Sequence, residues 1–141
     1  DICKRDRGDN KMNIPILRAK KIDSDEYVMG WYSSPVIIEG KIYLSIINQD
    51  GEYRIDTTTL SIHFPDMLDS QGNEIFASLQ EDGKGGDIAN YNNQGNWIAI
   101  YIENAFMWVN VLDMQKIGTK QPVSFLRLKP LAKMIVTGIQ E

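Results

Sequence analysis

The residues of this chain that can carry chemistry are few. His63 is its single histidine and Cys3 its single cysteine. A His-pair or Cys-based metal site therefore lacks ligands, and a Ser-His-Asp or Cys-His arrangement must run through one imidazole. Pro65 follows closely, so His63 reads as a partly exposed polar residue at a strand end. Gly83, Lys84, Gly85 and Gly86 offer backbone N–H groups to an anion. A phosphate loop, however, needs its lysine followed by Ser or Thr at a helix start. Here Gly85, Gly86 and Asp87 follow Lys84, the carboxylate repels phosphate, and the stretch reads as a flexible inserted loop. Asp66, Asp69, Glu74, Glu81, Asp82 and Asp87 lie close in sequence. Two carboxylates serve as acid and base when a fold brings them within several ångströms in unlike environments. Nothing in this spacing demands that, and it is not the spacing of a calcium-binding loop. The carboxylates read as turn-makers and solvated loop charge. No catalytic, cofactor-binding or metal-binding residue is assigned, and the pattern argues against an enzyme.

A second constellation combines cations with aromatic rings. Arg18, Lys20 and Lys21 are followed by Tyr27, Trp31 and Tyr32. On a β surface, such a mixture stacks bases while neutralising phosphates. Arg18, Lys20, Tyr27 and Trp31 are thus the candidate nucleic-acid surface. The competing reading packs these aromatics in a core, and with a formal net charge of −4 the chain as a whole repels phosphate backbones. Nucleic-acid binding is the alternative, not the favoured function.

The elements that must position these residues are strands. Residues 97–102 and 105–112 flank Glu103-Asn104 and are apolar on both alternating faces: Trp97, Ala99 and Tyr101 point one way, Ile98, Ile100 and Ile102 the other. A hairpin with one wet face alternates polar and apolar, so this one is expected to be covered on both sides. A second copy of the chain is a candidate cover, which makes the protein a homo-oligomer with Met107, Trp108 and Val109 as contact residues, since Met and aromatics are enriched in interface cores. Further turns fall at Glu39-Gly40 and Asp50-Gly51, and residues 16–22 and 26–32 pair across Asp23-Ser24-Asp25, so the first half reads as a β-meander. Residues 65–95 read as loop-rich surface anchored by Ile75, Phe76 and Ile88. Residues 123–128 and 134–139 read as closing strands around a helical turn at 130–133. The expected fold is mainly β, antiparallel, and closed as a small twisted barrel.

Length and composition set the outer bounds. At 141 residues the chain supports one core rather than two ordinary domains. Residues 1–12 read as a polar arm, Met12 is a candidate biological start, and 13–141 form one domain. No apolar run approaches the roughly 20 residues that span a bilayer, and the polar opening is unlike a signal peptide. One cysteine excludes an intrachain disulfide and suits a reducing cytoplasm.

Three blocks, in order, resemble the YopX family of phage and prophage proteins. Leu17-Arg18-Ala19-Lys20 with Tyr27-Val28-Met29-Gly30-Trp31-Tyr32 is similar to that family's opening pattern. Ile55-Asp56-Thr57-Thr58-Thr59-Leu60 resembles its next block, and Leu68 to Phe76 followed by Gly86-Asp87-Ile88 resembles its "LKDKNGKEIFEGDIV". The tail from Met134 to Ile139 is similar to its ending. The chain departs from the pattern by the residues Ala77 to Gly85 between Phe76 and Gly86, and by His63-Phe64-Pro65-Asp66-Met67. The resemblance implies an SH3-like barrel part and a phage, prophage or mobile-element origin; the expected partner, a host or phage macromolecule, is a separate reading. It implies no activity.

Overall fold

The computed structural model describes residues 15–91, 93, 95–116, 125–127 and 134–141. Among these described residues ten strands run in chain order: β1 Ile16–Lys21, β2 Tyr27–Ile38, β3 Lys41–Asn48, β4 Gly51–His63, β5 Ala77–Ser78, β6 Asp87–Tyr91, β7 Asn96–Ile102, β8 Ala105–Asn110, β9 Phe125–Arg127 and β10 Met134–Ile139, with a 3-10 turn at Val111–Lys116 after β8. The fold is mainly β, as the turn spacing predicts. Among the described residues no helix is long and apolar enough to cross a membrane. The polar arm, the Met12 start and the helical turn at 130–133 lie outside the described residues.

β1 to β4 form a closed antiparallel barrel: each strand bonds the next, and β4 returns to β1. The turns are those that strand twist favours. Glu39 and Gly40 have φ of 50° and 81°, and Glu103 and Asn104 have 52° and 64°, the paired positive values of a primed two-residue hairpin. The third turn falls at Gln49-Asp50, with Gly51 pairing with Asn48, one residue before the expected position. The strand expected over 26–32 continues to Ile38 as a single β2, whose register slips between Ser33 and Val36 at Pro35. β4 runs on past Ile55 to His63 through a bulge opposite Arg18 and Lys20, where the Asp56 carboxylate accepts both the Thr58 N–H and its hydroxyl. Leu17, Ala19, Val28, Ile46 and Ile55 fill the barrel.

Strands β5 to β10 extend from β4. β5 bonds β4 antiparallel and β7 parallel, β6 lies between β7 and β10, and β8 lies between β7 and β9. The hairpin β7–β8 is covered on both faces as its alternation requires, but its own chain supplies the cover. On one face Ala99 and Trp108 pack with Ile75, Ala77, Ala89 and Met134; on the other Ile98, Ile100 and Val109 meet Ile88, Val111 and Met114. Trp108 and Val109 are fully buried inside the chain. Moreover Trp108 faces one side of the hairpin, while Met107 and Val109 face the other. Trp108 and Val109 are therefore core, not an accessible contact surface, and the expectation placed on them is corrected; Met107 is half-buried against the Ile98 layer. Phe64, Tyr101 and Phe106 complete the edge of the Trp108 layer, with Phe64 standing edge-on to Phe106 at 5.1 Å.

Trp108→Ala should consequently cost about 3–5 kcal/mol of folding stability, the range for truncating a buried large aromatic, measured by urea unfolding. A variant that keeps its stability and loses only assembly would contradict this placement.

Candidate functional site

The segment from Asp69 to Asp87, expected as wet loop, forms the layer between the barrel and the second set of strands. Ile75, Phe76, Ala77 and Ser78 are buried, and so are Asp69 and Asp87. The glycines at 85 and 86 are there for close approach. A methyl group on Gly85 would lie 2.0 Å from the Thr59 carbonyl oxygen, and one on Gly86 would lie 2.4 Å from that of Ala99. Gly85 N–H donates to Gln140 O, Gln140 N–H to Gly86 O, and the Ser78 hydroxyl to Lys84 O. The Gly83–Gly86 stretch is thus bound on several sides, which corrects its reading as a flexible loop.

Arg18 is the centre of this layer. It lies on the outer face of β1, where a cation reads as solvent-facing, yet it is 7 % exposed. Its Nη2 donates to Asp87 Oδ1 at 2.7 Å and to Gly85 O at 2.8 Å. The guanidinium carbon sits 4.5 Å from the centre of the Phe76 ring. Asp87 Oδ2 accepts the Phe76 N–H at 2.8 Å, and Asp87 N–H donates to Phe76 O. Burial pushes the Asp87 carboxyl up, while the Arg18 charge and the Phe76 amide pull against it. A buried charge without its partner is costly, so these contacts stand or fall together.

Beyond Phe76 lies His63, with ring centres 5.2 Å apart. Its side chain is fully buried rather than partly exposed, and this corrects the expectation. Nδ1 lies 2.8 Å from Ile75 O. A carbonyl only accepts, so Nδ1 holds the proton. Nε2 lies 3.7 Å from Glu74 Oε2. General acid–base work requires reach to a substrate, and an enclosed ring committed to a backbone carbonyl acts as a packing residue.

Asp69 is the second buried carboxylate. It accepts hydrogen bonds from the N–H groups of Gln71, Asn73 and Val136 and from the Asn73 side chain. It thereby closes the turn at residues 69–73 and clamps β10. Burial pushes its carboxyl up, but the donors led by Val136 outweigh that and hold it below the ordinary aspartate range. The turn-making role read from sequence is correct for Asp69; the solvated role is not.

A cleft of about 350 Å³ opens beside these groups, lined by Arg18, Met29, Asn73, Glu74, Phe76 and Asp87 among others. Its cation and the one aspartate that lines it are occupied by the fold itself. Among the described residues, no three His, Cys, Asp or Glu side chains gather into a metal site. A second, apolar depression of similar size lies at the barrel mouth, formed by Pro15, Leu17, Trp31, Tyr32 and Ile62.

The proposed nucleic-acid surface is divided between these places. Arg18 and Lys20 both approach the Tyr27 ring, at 5.6 and 5.7 Å, while Trp31 lines the barrel mouth. Arg18 is spent on Asp87, so its assignment to a surface is corrected. Lys20 bonds Glu141 at 2.8 Å, which raises its pKa above the ordinary lysine value. Lys21 is paired with Glu26. Sequence reading missed the Arg18–Asp87 pair because the partners are 69 residues apart and no local pattern links them.

No family model matches the chain, and no curated protein and no solved structure matches it.

Arg18→Met should destabilise the fold by about 3–5 kcal/mol by leaving a buried carboxylate unpaired, and adding Asp87→Asn should recover part of the loss, since the amide oxygen still accepts the Phe76 N–H. Urea unfolding of both variants checks this. The Asp69 carboxyl contributes stability that is fully present above the unfolded aspartate value of about 3.9 and is lost as pH falls through its lower folded-state value. Asp69→Asn should remove that part of the acid limb from a plot of urea midpoint against pH; an unchanged acid limb would contradict the clamp.

Proposed function

We propose that this chain is a self-associating β domain that binds another macromolecule and performs no catalysis. Its YopX-like blocks support an origin in a phage, prophage or mobile element, with action in the cytoplasm of a bacterial host. One observation carries the binding role: the far end of the β2–β3 hairpin leaves large apolar side chains in water. Ile37 and Ile42 pair directly and are 70 % and 68 % exposed. Tyr32 is exposed on the same face of the ribbon, and Val36 and Ile47 are exposed on its opposite face. Large apolar side chains left in water side by side, as Ile37 and Ile42 are, mark a contact site. The buried carboxylates support the absence of catalysis, because Asp69 and Asp87 are saturated by structural donors. The nucleic-acid alternative is weakened by the acidic partners of Arg18, Lys20 and Lys21, which leave little uncompensated charge for phosphates.

Sedimentation of the full chain across the micromolar range tests the reading. A mass that rises with concentration to a discrete oligomer is expected; a monomer at high micromolar concentration would overturn it. In parallel, binding to single- and double-stranded oligonucleotides should be undetectable at low salt. Tight, steeply salt-dependent binding would instead establish the alternative.

A further inference from the structure

The β2–β3 hairpin outgrows the barrel. β1 bonds β2 only from Tyr27 to Gly30, and β4 bonds β3 only from Ser45 to Asn48. Beyond those positions, among the described residues, each strand has one bonded edge and one bare edge. Ile37 and Ile42 sit on the face that continues Leu44 and Ile46 of the barrel core, and Val36 pairs with Tyr43 on the other face. A two-stranded ribbon is marginal alone, and a bare apolar edge is a template for another strand.

The two edges are not equivalent. That of β2 carries Pro35, which has no N–H, beside the register slip between Ser33 and Val36; both features refuse a new strand. That of β3 offers Lys41, Ile42, Tyr43 and Leu44, and ends where Arg54 pairs with Ser45.

We propose that the Lys41–Leu44 edge pairs antiparallel with the same edge of a second copy across a two-fold axis. The proposal rests on the self-association reading and names its surface. Directly opposed residues in an antiparallel pair share a face, so an axis perpendicular to the sheet passes through a residue position. Centred on Tyr43, Lys41 would face the partner's Ser45, where Arg54 already holds the edge. Centred on Ile42, both edges fit. Ile37 and Ile42 then continue into the partner's Ile42 and the partner's Ile37, an unbroken row across four strands. The exposed turn that carries Glu39 closes the end of the pair next to the end of the partner's β4, and so brings Glu39 beside the exposed, oppositely charged side chain of the partner's Arg54. Symmetry makes this match twice. That charge complementarity singles out a copy of this chain over a foreign strand. Each short edge is used up in one pairing, so the contact closes as a dimer.

The test is sedimentation velocity on the full chain and four variants: Ile42→Lys, Glu39→Arg, Arg54→Glu, and the last two combined. Circular dichroism melts confirm folding, since all three positions are exposed. The wild type should dimerise; each single variant should weaken the dimer about tenfold or more, because each charge reversal turns two attractions into two repulsions. The combined reversal should restore the dimer. A wild type that stays monomeric overturns both the self-association reading and this surface. A dimer indifferent to Ile42→Lys and to the reversals overturns the surface alone. Single reversals that weaken the dimer without rescue by the combination overturn the two-fold register.

Discussion

A guanidinium and a carboxylate taken out of water together are the constraint on which this fold is built. Arg18 belongs to the barrel and Asp87 to the strands outside it, and neither charge is tolerable in its buried place without the other. The pair fixes more than itself. Asp87 uses its second oxygen on the Phe76 amide, Phe76 lies under the Arg18 guanidinium, and Gly85 offers its carbonyl to the same cation. The chain from Phe76 to Asp87 is therefore held where a side chain on Gly85 or Gly86 would collide with backbone. Asp69 does the corresponding work on the other side, joining the turn at 69–73 to β10. Two buried carboxylates join the parts of a chain whose strands alone would make a small barrel with a loose extension.

This division of labour explains what could be read from residue order and what could not. The β7–β8 hairpin was legible because its information is local: alternation in two runs and a two-residue turn predict both the pairing and the double burial, and the register of Ala99 with Trp108 and Ile98 with Val109 follows. The source of the cover was not legible. Residues from β5, β6, β10 and the 3-10 turn supply it, and only the topology shows that they come from the same chain. Arg18, Asp87 and His63 were misplaced for a related reason. Polar residues read as exposed unless a partner is visible, and a partner far along the chain is invisible to spacing.

The opposite error occurred at the β2–β3 hairpin. Ile37 and Ile42 carry the pattern of a core and stand in solvent, because the barrel closes several residues before the strands end. Apolar alternation states that a face wants cover; it does not state whether the same chain provides it. The β7–β8 hairpin finds its cover within the chain, whereas among the described residues nothing covers the far end of the β2–β3 hairpin. The proposed contact surface accordingly lies on this isoleucine-rich ribbon and not on the aromatic hairpin, and it rests on surface burial, not on charge chemistry.

The central claim is that the Arg18–Asp87 junction makes barrel and extension one cooperative unit. Native-state hydrogen exchange measures this directly, since the amides of Ala19 and Ile46 report the barrel and those of Ile98 and Trp108 report the outer strands. One shared opening free energy, equal to that of global unfolding, is the predicted result. Outer strands that open at markedly lower free energy while the barrel stays closed would contradict it.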